Sequence, residues 1–333
     1  MATNLRLLSE GKTKRIFADP DPTFCIVENK ADITAHDDPS FTRQFATKAI
    51  SSTATTCRVF ELLRDAWQHV AYLKQMSDTT FQAPLCRMIP LECVARRIAA
   101  GSYLKRNPHV ADGTRFHRLE VEFYLKTTQG SLRTYDGRIL KLDLTHIKAG
   151  GQSSIIDDPL IDIYDSGAWI LRHPKLPRSQ DGSLLGTTVQ RSDVLPDRLI
   201  IAKIEEATRK AFLVLERAWG QLGHKLVDLK VEFGINAKGE LLLADVIDND
   251  NWRLRTSDDK EVSKQLFRDG HPLAEVEEKY ALVARLVERF ASHSRLLCCG
   301  GGQRRMTSEM CQLFLASSWR RSRVRRTNHQ LTR

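Results

Sequence analysis

The chain has 333 residues, of which 41% are hydrophobic and 28% charged, so it can bury a substantial core as one enzyme-sized unit of two lobes. Its formal net charge of +10 resembles that of a nucleic-acid-binding protein. However, residues 294–333 contain nine arginines and a single acidic residue, Glu309, so the other 293 residues carry a net charge of only +2. Because this body is nearly neutral, a nucleic-acid partner is expected only through the tail, if at all.

Cysteine usage and hydropathy indicate the compartment. The seven cysteines form no CxxC pair, so the sequence predicts neither a disulfide framework nor a zinc site. The N-terminus lacks an apolar signal core, and no run of about eighteen apolar residues occurs. We expect a cytoplasmic protein without membrane contact, and a homo-oligomer is compatible with the sequence.

The first predicted elements are strands, within residues 5–35, that flank the tetrapeptide Gly11-Lys12-Thr13-Lys14. This tetrapeptide resembles the end of a Walker A loop, but Arg6 stands where that loop requires its first glycine. What remains is a glycine turn whose backbone and lysines could close over phosphates. A solvated hairpin turn fits the same four residues.

Two segments, residues 46–67 and 196–220, have the apolar periodicity of packing helices. In the first segment, serines and threonines in the first half weaken the helical signal. The second segment has a more regular apolar face. Both helices are predicted to belong to the core.

Residues 88–108 predict a strand that ends in a turn of small residues. The strand carries Glu92, Arg96 and Arg97 and continues into Ala99-Ala100-Gly101-Ser102, where backbone can approach a ligand closely. A guanidinium and a serine hydroxyl beside a glycine suit a phosphate monoester. The alternative is an edge-strand arginine in a salt bridge.

The segment Leu226 to Arg253 predicts a β-hairpin with one charged face. Alternation places Asp228, Lys230 and Glu232 on one side and the intervening apolar residues on the other. Residues 236–239 supply the predicted turn. If Ile235 pairs with Glu240, Asp245 lies opposite Lys230.

Carboxylates beside a lysine on this hairpin suit a hydrated Mg²⁺ that holds the phosphates of a nucleotide, because Mg²⁺ takes one or two protein carboxylates and leaves its other positions to water and phosphate. A solvated hairpin face is the alternative for charges at period two. A calcium loop is excluded, because no Asp-x-Asp run here has glycine at its sixth position.

Five ordered motifs resemble the SAICAR synthetase (phosphoribosylaminoimidazole-succinocarboxamide synthase) family, most closely the synthetase half of the animal bifunctional type. The resemblance covers about Glu10 to about Phe290. The motifs are GKTK, IPLECVARRIAAGS, DDPL, LVDLKVEFG and ADVIDNDNWR.

The resemblance implies an ATP-dependent ligase of purine biosynthesis that condenses carboxyaminoimidazole ribonucleotide (CAIR) with L-aspartate to SAICAR, ADP and phosphate. It also implies an α+β fold of two lobes, related to ATP-grasp enzymes, with the nucleotide between lobes 1–87 and 88–293. ATP and Mg²⁺ are the implied cofactors.

The site residues carried over from the family form three groups. The residue that accepts the proton of the aspartate amine is unknown. The ATP contacts are Lys12, Lys14, Met88 and Lys230. The magnesium carboxylates are Glu232 and Asp245. The substrate contacts are Arg96, Ser102, Asp250 and Arg253 for the ribonucleotide, with Lys264 and Arg268 in the segment SKQLFRDG.

Several positions depart from the family pattern. Lys48 lies in a helix start that does not align, Arg255 replaces a tryptophan, and Ser263 replaces an aspartate. Residues 127–156 resemble an insertion and are predicted to form a surface flap, as is the poorly matched segment 162–195, which includes a loop at 173–183. An interaction element is the alternative to a flap. Residues 294–333 are too short for a carboxylase domain and are predicted to be a disordered basic tail without that activity.

Two further functions remain open at this stage. One is a nucleic-acid-binding protein that acts through the arginine tail on an inactive body. The other is a phosphotransferase with a different acceptor, because ATP and metal residues alone do not select a nucleophile.

Overall fold

The computed structural model describes residues 5–34, 41–45, 47–66, 68–147, 151–163 and 167–290. The described residues up to Phe290 form one compact unit. The boundary between lobes at residues 87 and 88 stays a prediction. Predictions for Trp67 and for the tail at 294–333 lie outside the described residues.

The N-terminal part contains a five-stranded antiparallel sheet in the order β1-β2-β3-β7-β6 and a separate two-stranded sheet of β4 and β5. Helix α1 packs its buried residues Cys57, Phe60 and Leu63 into the main core, as predicted. The elements are β1 (Leu7–Glu10), β2 (Lys14–Ala18), β3 (Phe24–Asn29), β4 (Asp32–Thr34), β5 (Thr42–Gln44), α1 (Lys48–Asp65), β6 (Lys74–Gln75) and β7 (Thr80–Pro84).

A larger, eight-stranded sheet forms the rest of the framework. Its centre is the long antiparallel pair of β8 and β18, with β9 on the outer side of β8 and β20 paired to the first half of β18. Its strands are β8 (Cys86–Ile98), β9 (Arg115–Leu125), β15 (Leu160–Asp162), β16 (Ala168–Arg172), β17 (Leu184–Gln190), β18 (His224–Asn236), β19 (Leu241–Leu243) and β20 (Trp252–Thr256).

Two small sheets lie in the segment predicted as an insertion. Leu132 and Leu144 of this segment are buried in the main core, so the segment is attached to the body and is not only a surface flap. Its strands are β10 (Thr127–Thr128), β11 (Ser131–Arg133), β12 (Ile139–Lys141), β13 (Thr145–Ile147) and β14 (Ser153–Ile155).

Helix α4 lies against the apolar surface of the large sheet. Helix α4 buries Ile204, Ala211 and Leu215 against it, which confirms the packing role predicted for residues 196–220. The predicted loop at 173–183 lies between β16 and β17 and contains no helix or strand. The helices after α1 are α2 (Ser102–Arg106), α3 (Arg191–Val194), α4 (Ile200–Gln221), α5 (Gln265–Arg268) and α6 (Leu273–Val287).

The predicted α+β class is confirmed, because the described part of the chain combines helices with sheets whose strand ladders are antiparallel. None of the helices described between residues 5 and 290 has the length and apolar character needed to span a membrane. A cytoplasmic location stays a prediction.

Candidate active site

A cleft of about 940 Å³ is lined by residues from both large sheets. The N-terminal sheet contributes apolar side chains such as Val27 and Phe81, and the start of β8 contributes Met88 and Ile89. The cleft therefore has an apolar wall, next to which a group of charged side chains converges. These charged lining residues include Lys14, Lys126, Glu232 and Asp245.

The charged group, here called the cleft cluster, consists of Lys14, Lys126, Lys230, Glu92, Glu232 and Asp245. Lys126 donates a hydrogen bond to Glu232 at 2.5 Å, and Lys230 donates to Glu232 at 3.1 Å and to Glu92 at 2.7 Å. Lys14, which begins β2, forms an ion pair with Asp245. Three cations and three carboxylates thus meet at one wall of the cleft.

Electrostatics hold Glu232 and Lys230 in their charged forms. Burial alone would raise the pKa of the Glu232 carboxyl, but Lys230, Lys126 and Lys14 together lower it to about 2. Burial would lower the pKa of Lys230, but Glu92 and Glu232 raise it well above its ordinary value. Glu232 and Lys230 are therefore both ionised at neutral pH, whereas burial lowers the pKa of Lys14 to about 8.

The carboxylates of this cluster fit a magnesium site that is completed by a ligand. Among the described residues, no group of three or more His, Cys, Asp or Glu side chains could hold a metal ion alone. Glu232 and Asp245 both line the cleft, and the Ala244 amide donates to the Glu232 carbonyl at 3.0 Å. Two carboxylates are the number that Mg²⁺ takes when phosphate and water supply its other ligands.

The register of the hairpin differs from the prediction by one residue. Ile235 pairs with Leu241, not with Glu240, because the loop between Asn236 and Glu240 has three residues and ends at Gly239, whose φ is +78°. The prediction that Asp245 lies opposite Lys230 is therefore wrong. Asp245 still reaches the cleft, because β19 ends at Leu243 and the chain leaves the ladder there.

The other two residues predicted to contact ATP lie at different parts of this region. Met88 is 39% exposed and lines the cleft beside Gly234. Lys12 is exposed in the turn between β1 and β2, two residues before Lys14. The structure therefore brings Lys14, Met88 and Lys230 to one region and leaves Lys12 at the turn itself.

A second group of side chains, here called the arginine cluster, lies farther along the same face of β18 and β8. Arg96 donates to Asp228 at 2.6 Å, to Glu122 at 2.8 Å and to the Ser102 hydroxyl at 3.3 Å. Arg253 also donates to Asp228. Three of the predicted ribonucleotide contacts, Arg96, Ser102 and Arg253, therefore lie together.

The buried carboxylates balance these arginines. Burial would raise the pKa of Asp228, but Arg253 and Arg96 hold it below its ordinary value. Arg96 is only 3% exposed, so its guanidinium is fixed by protein partners in this structure. The salt-bridge alternative that the sequence left open is thus also present, within the same cluster.

Gly101, in the turn of small residues, lies close to the guanidinium of Arg253. Its φ is +58°, a backbone conformation that favours glycine. An added Cβ would contact the Arg253 guanidinium, so the glycine leaves room for that side chain. A close approach of this turn to a ligand stays a prediction.

Asp250 lies in a third group, away from the arginines. Lys48 at 3.4 Å, Lys264 at 3.3 Å and the Tyr280 hydroxyl surround its carboxylate. Burial would raise the pKa of Asp250, but Lys264 and Lys48 lower it below its ordinary range. In this structure Asp250 is bound by helices α1 and α6 and by Lys264, the residue before α5.

The positions that depart from the family pattern have defined partners. Ser263 is fully buried and donates to Glu261, which also pairs with Arg255 at 3.6 Å. Arg268 donates to Gln265 at 3.4 Å, and Gln265 accepts from Arg253 at 3.3 Å. Arg268 is thus connected to the arginine cluster through one glutamine.

Several side chains of these clusters were missed from the sequence. Glu122 lies on β9 and Lys126 directly follows its last residue, so a period-two reading of residues 119–126 would have placed both on the charged face. Lys48 and Tyr280 lie on helices α1 and α6, where this period-two signal does not apply.

A cleft of lysines and carboxylates beside an arginine cluster, on an α+β framework, defines a candidate nucleotide-dependent enzyme. The SAICAR synthetase family model matches residues 7–169 and 186–286. The chain belongs to the SAICAR synthetase family.

Two curated relatives have similar identity but different lengths. The chain is 35% identical over 304 residues to the Multifunctional protein ADE2 of Gallus gallus, covering 89% of this chain and 60% of the relative. It is 35% identical over 298 residues to the phosphoribosylaminoimidazole-succinocarboxamide synthase of Chloroflexus aurantiacus, covering 86% of this chain and 98% of the relative. The chain thus spans about 60% of the chicken protein but nearly all of the bacterial one.

Solved structures agree on the fold. The phosphoribosylaminoimidazole-succinocarboxamide synthase of Ehrlichia chaffeensis is 24% identical with a TM-score of 0.63, covering 85% of this chain and 98% of that one. A SAICAR synthetase in complex with ADP is 24% identical with a TM-score of 0.64, covering 85% of this chain and 97% of that one.

Proposed function

We propose that the chain is an ATP-dependent ligase that joins CAIR and L-aspartate to form SAICAR, ADP and phosphate. The observation that carries the proposal is the adjacency of two clusters on one face of β18. Asp228, in the arginine cluster, is two residues from Lys230, in the cleft cluster, which corresponds to about 7 Å along a strand. A phosphoryl donor and an anionic acceptor bound at these clusters would be neighbours.

The cleft cluster is suited to the phosphates of ATP. Lys14, Lys126 and Lys230 supply ammonium donors, and the apolar wall at Val27, Phe81 and Met88 suits a purine base. A SAICAR synthetase with the same fold has been solved in complex with ADP, which supports nucleotide binding by this chain. In this structure the lysines of the cluster pair with its carboxylates.

Glu232 and Asp245 would hold Mg²⁺ when the nucleotide is bound. The ion would neutralise the charge of the transferring phosphoryl group. The protein's own contribution is to keep Glu232 ionised, which Lys230, Lys126 and Lys14 do by lowering its pKa.

The acceptor would lie at the arginine cluster. Arg96, Ser102 and Arg253 offer donors for the phosphate of a ribonucleotide, because a guanidinium matches the oxygens of a phosphate monoester. Asp250 follows β19 and precedes Arg253, so it is expected to contact a polar edge of the acceptor. Lys264 and Arg268 are expected on the aspartate side.

The chemistry needs positioning more than a nucleophilic side chain. A carboxylate does not react with an amine, so its oxygen first attacks the γ-phosphorus of ATP and ADP leaves. The amine of aspartate then attacks the carbon of the acyl phosphate, and phosphate leaves with the electron pair of the broken C–O bond. Cations that neutralise charge and hold the reactants together account for most of the rate.

Substrate dependence of ADP release tests this proposal. Purified protein with ATP and Mg²⁺ is expected to release ADP only when both CAIR and aspartate are present. Omission of either substrate is the control. ADP release that does not depend on aspartate would contradict the ligase assignment and favour a phosphotransferase.

A further inference from the structure

We infer that residues 127–141, here called the 127–141 arm, are the outer wall of the nucleotide site and that Tyr135 packs against the bound purine base. This inference rests on the proposed function, since it assigns a part of the same cleft. The arm includes β10, β11 and β12 and was predicted only as part of an insertion.

The arm lines a substantial part of the cleft. Thr128, Ser131, Arg133 and Tyr135 lie on its wall together with the N-terminal sheet, which contributes Val27 and Phe81. A solvated flap would contribute no such wall. The arm thus bounds the cleft together with the N-terminal sheet, the start of β8 and the charged wall that includes Glu232 and Asp245.

The arm is anchored at its base. The Asp157 carboxylate accepts hydrogen bonds from the Gln129 amide at 2.8 Å, the Gly130 amide at 3.1 Å and the Thr127 hydroxyl at 3.1 Å. Leu132 is fully buried in the main core. The backbone of the arm therefore has a fixed position relative to the large sheet.

The tip of the arm is anchored as well. The Tyr135 amide donates to the Asp193 carbonyl at 2.7 Å, and Arg138 bridges the carboxylates of Asp136 at 2.7 Å and Asp193 at 2.8 Å. Thr134 is buried and donates to the Arg138 carbonyl at 3.0 Å. Tyr135 is therefore presented to the cleft from a constrained turn.

Tyr135 lies beside the part of the cleft where a base is expected. The guanidinium of Arg87 stands over the Tyr135 ring at 5.5 Å, and Arg87 precedes Met88 in β8. Tyr135, Arg87 and Met88 all line the cleft. An aromatic ring backed by a cation offers a stacking surface to a purine, because bases stack on aromatic side chains and a guanidinium polarises the ring.

Calorimetric binding of ADP in the presence of Mg²⁺ tests the inference. Tyr135→Ala is expected to weaken ADP affinity about tenfold, and Tyr135→Phe is expected to keep nearly all of it. Ile147→Ala is the matched control. Ile147 is 69% exposed in the adjoining β13, and it is not among the described residues that line the cleft. Equal ADP affinity of Tyr135→Ala and the wild type would overturn the inference.

A second measurement uses the wild-type protein, so it does not require that a variant folds correctly. Irradiation of the wild-type protein with 8-azido-ADP is expected to label a peptide that contains residues 127–141, and excess ADP should suppress the label. Labelling confined to the N-terminal sheet would contradict the role of the arm. A wild-type protein that binds no ADP would instead contradict the proposed function.

Discussion

Asp228 is a buried carboxylate that accepts hydrogen bonds from two arginines, and these contacts position the arginines at the proposed acceptor site. Arg96 reaches it from β8 and Arg253 reaches it from β20. Neither arginine is a free surface cation, so their positions are fixed before any ligand binds. Such preorganisation lowers the entropic cost of binding an anion.

Arg96→Ala is expected to destabilise the protein as well as weaken substrate binding. The change removes one of the two arginines that pair with each carboxylate, since Arg253 still pairs with Asp228 and Arg106 with Glu122, and it costs up to about 3–5 kcal/mol of the free energy of unfolding. Urea unfolding measures the change, and Arg96→Lys should lose less.

Arg115→Ala is the control for Arg96→Ala, because Arg115 is 65% exposed and its ion pair with Glu216 lies on the surface. Its expected effect is within about 1 kcal/mol. If Arg96→Ala and Arg115→Ala unfold at the same urea concentration, the buried ion pairs do not have the role assigned to them.

At the scale of elements, the loop that carries Asp250 is attached to two helices from distant parts of the sequence. Lys48 begins α1 and Tyr280 lies within α6. Lys48 also stands 5.4 Å from the centre of the Tyr280 ring. Helix packing therefore determines the position of a residue that is expected to contact substrate.

Tyr280→Phe is expected to raise the KM for CAIR while leaving the fold intact. The change removes a hydrogen bond to the charged Asp250, a loss of about 1.5–3 kcal/mol. Steady-state kinetics with varied CAIR would show the KM rise, and urea unfolding would show the loss of stability.

Tyr72→Phe is the matched control, because the Tyr72 hydroxyl donates to Glu61 at 2.9 Å on α1, and neither residue belongs to the candidate-site clusters. It should lose stability without a change in KM. Identical KM values for the Tyr280 and Tyr72 variants would exclude a positioning role for Tyr280.

Alternation along a strand predicted the charged face of β18 because a strand places every second side chain on the same side. Asp228, Lys230 and Glu232 do converge on that face. The predicted register was wrong by one residue, because the sequence alone did not distinguish a three-residue loop ending at Gly239 from a four-residue turn. Loop geometry, not hydrophobic pattern, fixed the position of Asp245.

The partners that sequence reasoning missed share a physical cause. Lys48 and Asp250 meet across about two hundred residues of sequence, and Lys126 meets Glu232 across about one hundred. Local periodicity carries no information about such long-range contacts. The family resemblance supplied Asp250 with Lys264 and Glu232 with Lys230, but it did not supply Lys48 or Lys126.

For the molecule as a whole, three buried carboxyls have a lowered pKa and link stability to pH. Asp228, Glu232 and Asp250 all favour the ionised form in the folded state. Since the unfolded state binds their protons more readily, their stabilising contribution is present at neutral pH. It is lost as pH falls towards the folded-state pKa values.

Glu232→Gln is expected to flatten part of this acid dependence. The Glu232 pKa is about 2 in the folded protein against 4.5 for an ordinary glutamate, so its contribution is complete above pH 4.5 and disappears towards pH 2. Unfolding free energies between these pH values should fall less steeply in Glu232→Gln. Glu206→Gln, an exposed change on α4, should keep the wild-type slope, and equal slopes in both variants would contradict the account.

The central claim is that the two clusters join a phosphoryl donor to a carboxylate acceptor. Its most direct test is the transfer of oxygen from the acceptor carboxylate to inorganic phosphate during turnover. With the CAIR carboxylate labelled with ¹⁸O, the proposed acyl phosphate predicts one labelled oxygen in each inorganic phosphate released during SAICAR formation. Mass spectrometry of that phosphate measures the label. Unlabelled phosphate released together with SAICAR would contradict the mechanism.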